Sequence, residues 1–449
     1  VVARPAWLSA NAGLFALAGP QSEAGQLFAS GRHDLAEHAL AGLQGLFGER
    51  LHLELLRTGR AGEDAWGAFA LDVAALDAAA VLAVAHEARV AVLASVTYPA
   101  PIATEWGIKA ALEEINHNGG VLNGRPLKLM TTDNKGISAR GKDNFVQLAG
   151  TKDLVAVLTG KYSPISVEML PDAHRLNVPL ISVWGSADPI TDHDFKPSYS
   201  FRVSLKDDWG VEAMMRRLTT KYKVRQACAI LPKTAWGRSA EKVIQARSRS
   251  NTAQFPVVRW YNWGDPSLKE HYKACLDSRT QGLLFVGNEK EGALLVKEIA
   301  AQALPLRMPV VAHWGAVGGT LHEMVNEELS MVRIDFIQTF TFINNKRPRA
   351  VYLADWILKN NGLNSTHDIP SPVGAAHAYD TVHLLAKAID TAKTTSPPKI
   401  RDALEKLPAF HGAVKHYTQP FTPQRHDALD KSQVLFVKLT PSGQLIPQD

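Results

Sequence analysis

Four of the 10 tryptophans, Trp106, Trp184, Trp236 and Trp314, fall in segments that follow short apolar runs. Flat rings in such loops can stack on an aromatic acid or hold a quaternary ammonium by cation–π attraction. The plainer reading of each ring is a cover for a hinge or a lobe edge. Beside them stand groups that form hydrogen bonds: Tyr162, Ser163, Ser186, Asn288, Glu289 and His313. This is chemistry for holding a small molecule, not for transforming one. The sequence contains no G-x-S-x-G elbow, no phosphate-binding P-loop, no dinucleotide fingerprint and no H-E-x-x-H pair. Its 16 histidines show no metal-ligand spacing. The chain therefore reads as a non-enzymatic binder that uses neither cofactor nor metal.

The elements that must position these residues are legible from hydrophobic spacing. Residues 90–95 form a short apolar run flanked by polar residues, as a buried strand should be. A loop with Pro99 and Pro101 follows. A helix over 106–116 then places Ile108, Ala111, Leu112 and Ile115 on one face. Asn118-Gly119-Gly120 stops it, because glycine tolerates the left-handed backbone of a helix C-cap. Asn123-Gly124 turns the chain into a second strand over 127–132. The unit is β-α-β, the building block of a parallel sheet. The pattern repeats: helices over 138–148 and 165–174, strands over 154–158 and 178–182. It restarts with strands over 226–231 and 282–286 and a run at 309–312. Such alternation predicts doubly wound sheets, in which ligands bind beyond the carboxyl ends of the strands. That rule points to the loops 97–106, 160–166 and 183–188, and to the later loops carrying Trp236, Asn288-Glu289 and His313-Trp314. A closing hairpin is expected over 434–446.

The stretch Ala111-Leu112-Glu113-Glu114-Ile115-Asn116, then Gly119 to Leu129 reading GGVLNGRPLKL, then Asp133, resembles the opening of type I periplasmic solute-binding proteins, nearest to the leucine/isoleucine/valine-binding kind. The resemblance runs from about Arg89 to the end. It implies two doubly wound α/β lobes joined by a hinge: 89–205 with 343–408, and 206–342 with 409–449. It implies hinge closure on a small-molecule ligand, a monomer in the periplasm, and docking on the membrane permease of an ABC importer. In that family hydroxyls and backbone N–H groups at a helix N-terminus bind an amino acid's α-carboxylate. Ser186 matches one hydroxyl without a gap. Pro164 stands where another is usual, so Ser163 or Ser166 would substitute. Trp236 matches an aromatic residue whose ring covers the ligand. A glutamate that pairs with the ligand ammonium is replaced by Trp314, and Glu289 is the nearest alternative acid. A sensor of the same fold is the alternative use.

Residues 1–88 do not follow this pattern. Gly13 to Gly19 (GLFALAG) and Leu51 to Arg60 (LHLELLRTGR) resemble part of the PHP domain of bacterial DNA polymerase III alpha subunit. That likeness implies a partial α/β fragment in a fused chain. In that family the acid matching Glu54 helps to bind metal, but one carboxylate cannot hold a catalytic metal. An alanine-rich run over 68–85 follows, interrupted by Asp72 and Asp77, which argues against a signal-peptide core.

At 449 residues the chain is long enough for two or three domains. A net charge of +5 is small for this length and its Lys and Arg are scattered, which excludes a nucleic-acid patch. The two cysteines, Cys228 in an apolar run and Cys275 in a helical one, read as buried packing residues, with a disulfide the alternative.

Overall fold

Every residue of the strand Leu154–Thr159 is buried, as in a sheet covered by helices on both faces. The computed structural model containing it describes residues 16–18, 51–53, 88–94, 99–248 and 253–448. The chain divides into two units, Val1–His86 and Glu87–Asp449. In the first unit β1 (Ala16–Ala18) pairs in parallel with β2 (Leu51–Leu53). Glu54 and the alanine-rich run lie outside the described residues.

The second unit is built on two sheets. A five-stranded sheet has the order β4-β3-β5-β6-β7. Its strands are β3 (Ala88–Ala94), β4 (Leu127–Asp133), β5 (Leu154–Thr159), β6 (Leu180–Ser182) and β7 (Ser200–Arg202), all paired in parallel. The helices between them are α1 (Pro99–His117), α2 (Ser138–Ala149) and α3 (Ser163–Leu176).

The chain then builds a seven-stranded sheet, β16-β15-β12-β11-β10-β8-β9. Its parallel part comprises β8 (Gln226–Pro232), β9 (Gln254–Tyr261), β10 (Gly282–Phe285), β11 (Val310–Ala312) and β12 (Ile334–Gln338). Helices α4 (Asp207–Thr220), α5 (Ala235–Arg247), α6 (Lys269–Asp277) and α7 (Glu289–Ala300) accompany it. Three more helices follow: α8 (Pro348–Asn361), α9 (Pro372–Ala392) and α10 (Pro397–Leu404). Helix α9 lies on α1 so closely that a Cβ at Gly107 would meet the carbonyl oxygen of Ala375 at 2.0 Å. A short pair, β13 (Phe410–His411) and β14 (His416–Tyr417), precedes the antiparallel hairpin β15 (Leu435–Leu439) and β16 (Leu445–Gln448).

Three differences from the sequence reading have physical reasons. Helix α1 starts at Pro99, not at 106. Both prolines fall in its first turn, where a missing N–H forfeits no intrahelical bond, so Trp106 lies within the helix and not in a loop. Cys228 on β8 and Cys275 on α6 form a disulfide, with Cα atoms 5.6 Å apart; the packing of that helix on the sheet is what brings two buried thiols together. Residues 410–428, assigned from the sequence to the second lobe, are tied to the five-stranded side. Ala413 and Val414 donate backbone N–H bonds to Asp380 on α9 at 2.6 and 2.9 Å. Arg202 on β7 pairs with Asp427 at 2.7 Å.

Candidate functional site

Each sheet reverses its strand order once. The chain lays β4 on one side of β3 and β5 on the other, then repeats the scheme with β9 and β10 around β8. A crevice opens where loops diverge at such a reversal. The loop after β5 carries Lys161, Tyr162 and Ser163. The loops after β8 and β10 carry Trp236, Asn288 and Glu289.

These loops meet across the two sheets. Lys161 Nζ lies 2.5 Å from Glu289 Oε2, with side-chain exposures of 1% and 8%. Glu289 is the first residue of α7, where the helix dipole favours its negative charge. Asn288 caps that helix, and its backbone N–H donates to Glu291 Oε2 at 3.2 Å. The Trp184 and Trp314 rings lie 5.6 Å apart at 31°. Tyr162 meets Trp263 at 5.1 Å. The Asp188 N–H donates to Ser239 Oγ at 2.9 Å. Two glycines permit this approach: a Cβ at Gly315 would come within 2.6 Å of the Trp236 ring, and one at Gly318 within 2.6 Å of Trp184.

The Ser163 and Ser166 hydroxyls and the Ser186 backbone are engaged within the five-stranded side. Ser163 Oγ accepts from the N–H groups of Ser186 and Ala187, at 3.1 and 3.3 Å. Ser166 Oγ is bonded to Thr159 Oγ1 at 2.9 Å. The carbonyl of Ser186 accepts from Arg202 Nη1 at 2.7 Å and from the Asp207 N–H at 2.9 Å. Arg202 also donates to the carbonyls of Ala187 and Asp188. This buried arginine fixes the loop that carries Ser186. The sequence analysis did not single it out.

A second group that the sequence analysis did not single out is Asp207. It is fully buried, and neither carboxylate oxygen makes a hydrogen bond among the described residues. His313 Nε2 lies 3.2 Å from Asp207 Oδ1, yet neither imidazole nitrogen makes a hydrogen bond among the described residues. Trp236 meets His313 edge-on at 4.9 Å, and its buried indole N–H has no acceptor among the described residues. Gln338 Oε1, at the end of β12, is likewise buried without a donor. Burying such groups unpaired costs free energy, and three of them, Asp207, His313 and Trp236, are adjacent. Burial, and then the charge of Asp207, push the Asp188 carboxyl up to about 7. Burial pushes His377, which faces Trp314 at 5.7 Å, down to about 4.

Trp106 stands outside this group. It is half-buried on α1 and makes no ring contact with the other three tryptophans among the described residues. A cavity of about 240 Å³ adjoins the cleft, lined by Val317, Gly319, Thr341, His367, Pro372 and Gly443 among others. Gly319 separates it from Glu289, since a Cβ there would sit 3.1 Å from Oε1. Among the described residues no group of three His, Cys, Asp or Glu could hold a metal ion, and no helix is long and apolar enough to cross a membrane.

Residues 87–439 match a family model described as "Periplasmic binding protein". The fold is similar to that of the branched-chain amino acid binding protein LivJ of Streptococcus pneumoniae, solved with isoleucine. The TM-score is 0.66 at 18% identity, covering 81% of this chain and 100% of that one. It is similar to a type 1 periplasmic binding protein of Bordetella pertussis, at TM-score 0.71 and 19% identity over 81% and 99% of the two chains. It is also similar to an ABC-transporter solute-binding protein of Rhodopseudomonas palustris solved with 4-hydroxybenzoate, at TM-score 0.68 and 15% identity over 80% and 95%. A different similarity, 48% identity over 105 residues, is to the DNA polymerase III alpha subunit of Xylella fastidiosa. It covers 20% of this chain, which spans only 9% of that relative.

Proposed function

Because the chain belongs to the periplasmic binding protein family, whose members are binding proteins and not enzymes, we propose that it is the extracytoplasmic receptor of an ABC importer. It takes a small organic solute, an amino acid or a related acid, between the two sheets and delivers it, as a monomer, to a membrane permease. The observation that carries this reading is the corner where Asp207, His313 and Trp236 are buried without hydrogen-bond partners, beside the Trp184 and Trp314 rings. A guest there would touch loops of both sheets only when the cleft is shut. It would shift the population toward closure by its differential affinity for that form. Solved proteins of the same fold bind isoleucine and 4-hydroxybenzoate, which supports a guest of that size. The disulfide between Cys228 and Cys275 suits an oxidising compartment.

Two lobes follow in this reading. Helices α1 and α9 complete the first with the five-stranded sheet, and α4 to α7 complete the second. The segment 1–86, similar to part of a polymerase subunit, forms a separate unit with no role in the binding cycle. The test is a thermal-shift screen of amino acids, aromatic acids and amines against the full chain. A guest that binds only the folded form raises the melting temperature. A dose-dependent rise that Trp314→Ala abolishes supports the site. Rises that ignore Trp314 and Trp236 substitutions place binding elsewhere.

A further inference from the structure

We propose that the charge recognised in this cleft is a cation: the solute carries a positively charged nitrogen that sits against Asp207. The inference rests on the receptor reading above and narrows it to a ligand class.

The side chains around the cleft can be sorted by what already answers them. Glu289 is neutralised by Lys161 at 2.5 Å. Arg202 is neutralised by Asp427 at 2.7 Å. Lys206 pairs with Asp192 at 2.7 Å and lies 3.6 Å from Asp427. The three cationic side chains suited to an anion are therefore occupied. The N–H groups of Ser186 and Ala187, which could have held a carboxylate, already donate to Ser163 Oγ.

Asp207 is the exception. Its carboxylate is fully buried and has no hydrogen-bond donor among the described residues. The titratable groups beside it are His313, at 3.2 Å and without a hydrogen bond of its own, and Asp188, a second acid. A buried carboxylate without a hydrogen-bond donor is costly, and a guest cation offsets that cost. The surroundings suit one. Trp236 stands against His313, and indole faces attract cations. The unpartnered Trp236 N–H offers a donor to the rest of the guest. An anionic guest would instead meet an unanswered negative charge.

The experiment compares matched probes on the full chain at pH 7.5. One set is cationic: benzylamine, phenethylamine, tyramine and choline. The other holds their acid counterparts: benzoate, 4-hydroxybenzoate, 3-phenylpropionate and isovalerate. Thermal shift finds binders and calorimetry gives affinities for wild type and Asp207→Asn. The expected result is that binders come from the cationic set and lose at least tenfold in affinity in Asp207→Asn. That variant, freed of a buried charge, should melt no lower than wild type without ligand. Binding by the acid set alone, or cation binding indifferent to Asp207→Asn, overturns the proposal while leaving the receptor reading intact. No shift from any probe overturns both. The wild-type selectivity stands as a test even if the variant folds poorly.

Discussion

Lys161 and Glu289 form an ion pair at 2.5 Å that joins the loop after β5 to the first residue of α7, and both side chains are more than nine-tenths buried. The pair belongs to the shut cleft, because it links loops of two different sheets.

Removing one member leaves a buried charge unpaired, which costs about 3–5 kcal/mol. Opening the cleft rehydrates the survivor, so the cost falls on the shut form. Lys161→Met should therefore enlarge the radius of gyration by small-angle scattering and weaken solute binding at least tenfold. The double variant with Glu289→Leu, which removes both charges, should scatter like wild type again. Equal scattering from the single variant and wild type would show that the pair does not hold the cleft.

The two rings at the cleft centre should matter and the outlying one should not. Trp184 and Trp314 pack at 5.6 Å, and an aromatic pair contributes about 0.5–1.5 kcal/mol beyond its area. Trp314→Ala should reduce affinity for any identified solute about tenfold or more in a fluorescence titration. Trp106→Ala should leave affinity within about twofold. The reverse order would move the binding site toward α1.

The disulfide spans 47 residues of sequence. Loop-closure entropy for that length predicts about 4 kcal/mol of stabilisation. Urea unfolding of Cys228→Ala/Cys275→Ala should show a midpoint lowered accordingly. An unchanged midpoint would mean that the unfolded chain is not limited by the cross-link.

Asp188 supplies a pH dependence with a definite sign. Burial and then Asp207 raise its carboxyl from 3.8 to about 7, while Arg202, Lys206 and the Asp208 N–H pull the other way. A raised acid stabilises the fold fully below its unfolded value and loses that contribution as pH climbs through the folded one. Asp188 should therefore make the protein progressively less stable between about pH 4 and pH 7, by roughly 1–4 kcal/mol. Asp188→Asn should flatten that part of a melting-temperature profile. A wild-type profile that rises across the same window, with the variant parallel to it, would remove Asp188 as the cause.

Much of this molecule is local and was legible. Apolar runs at strand length, helical spacing between them and glycine or asparagine stops specify repeated β-α-β units, and parallel sheets place working loops at strand carboxyl ends. Of the ten residues chosen on that basis, all but Trp106 lie in or beside the loops that converge between the two sheets. Periodicity does not record partners. Lys161 and Glu289 are 128 residues apart, and only the reversal of strand order in both sheets lets them meet. The same packing engages Ser163 with the N–H groups of Ser186 and Ala187, joins Cys228 to Cys275 and leaves Asp207 without a hydrogen-bond donor among the described residues. Hydrophobic spacing is a property of each segment alone. Whether a buried polar group is satisfied depends on what the rest of the chain brings to it, and that is settled only in three dimensions.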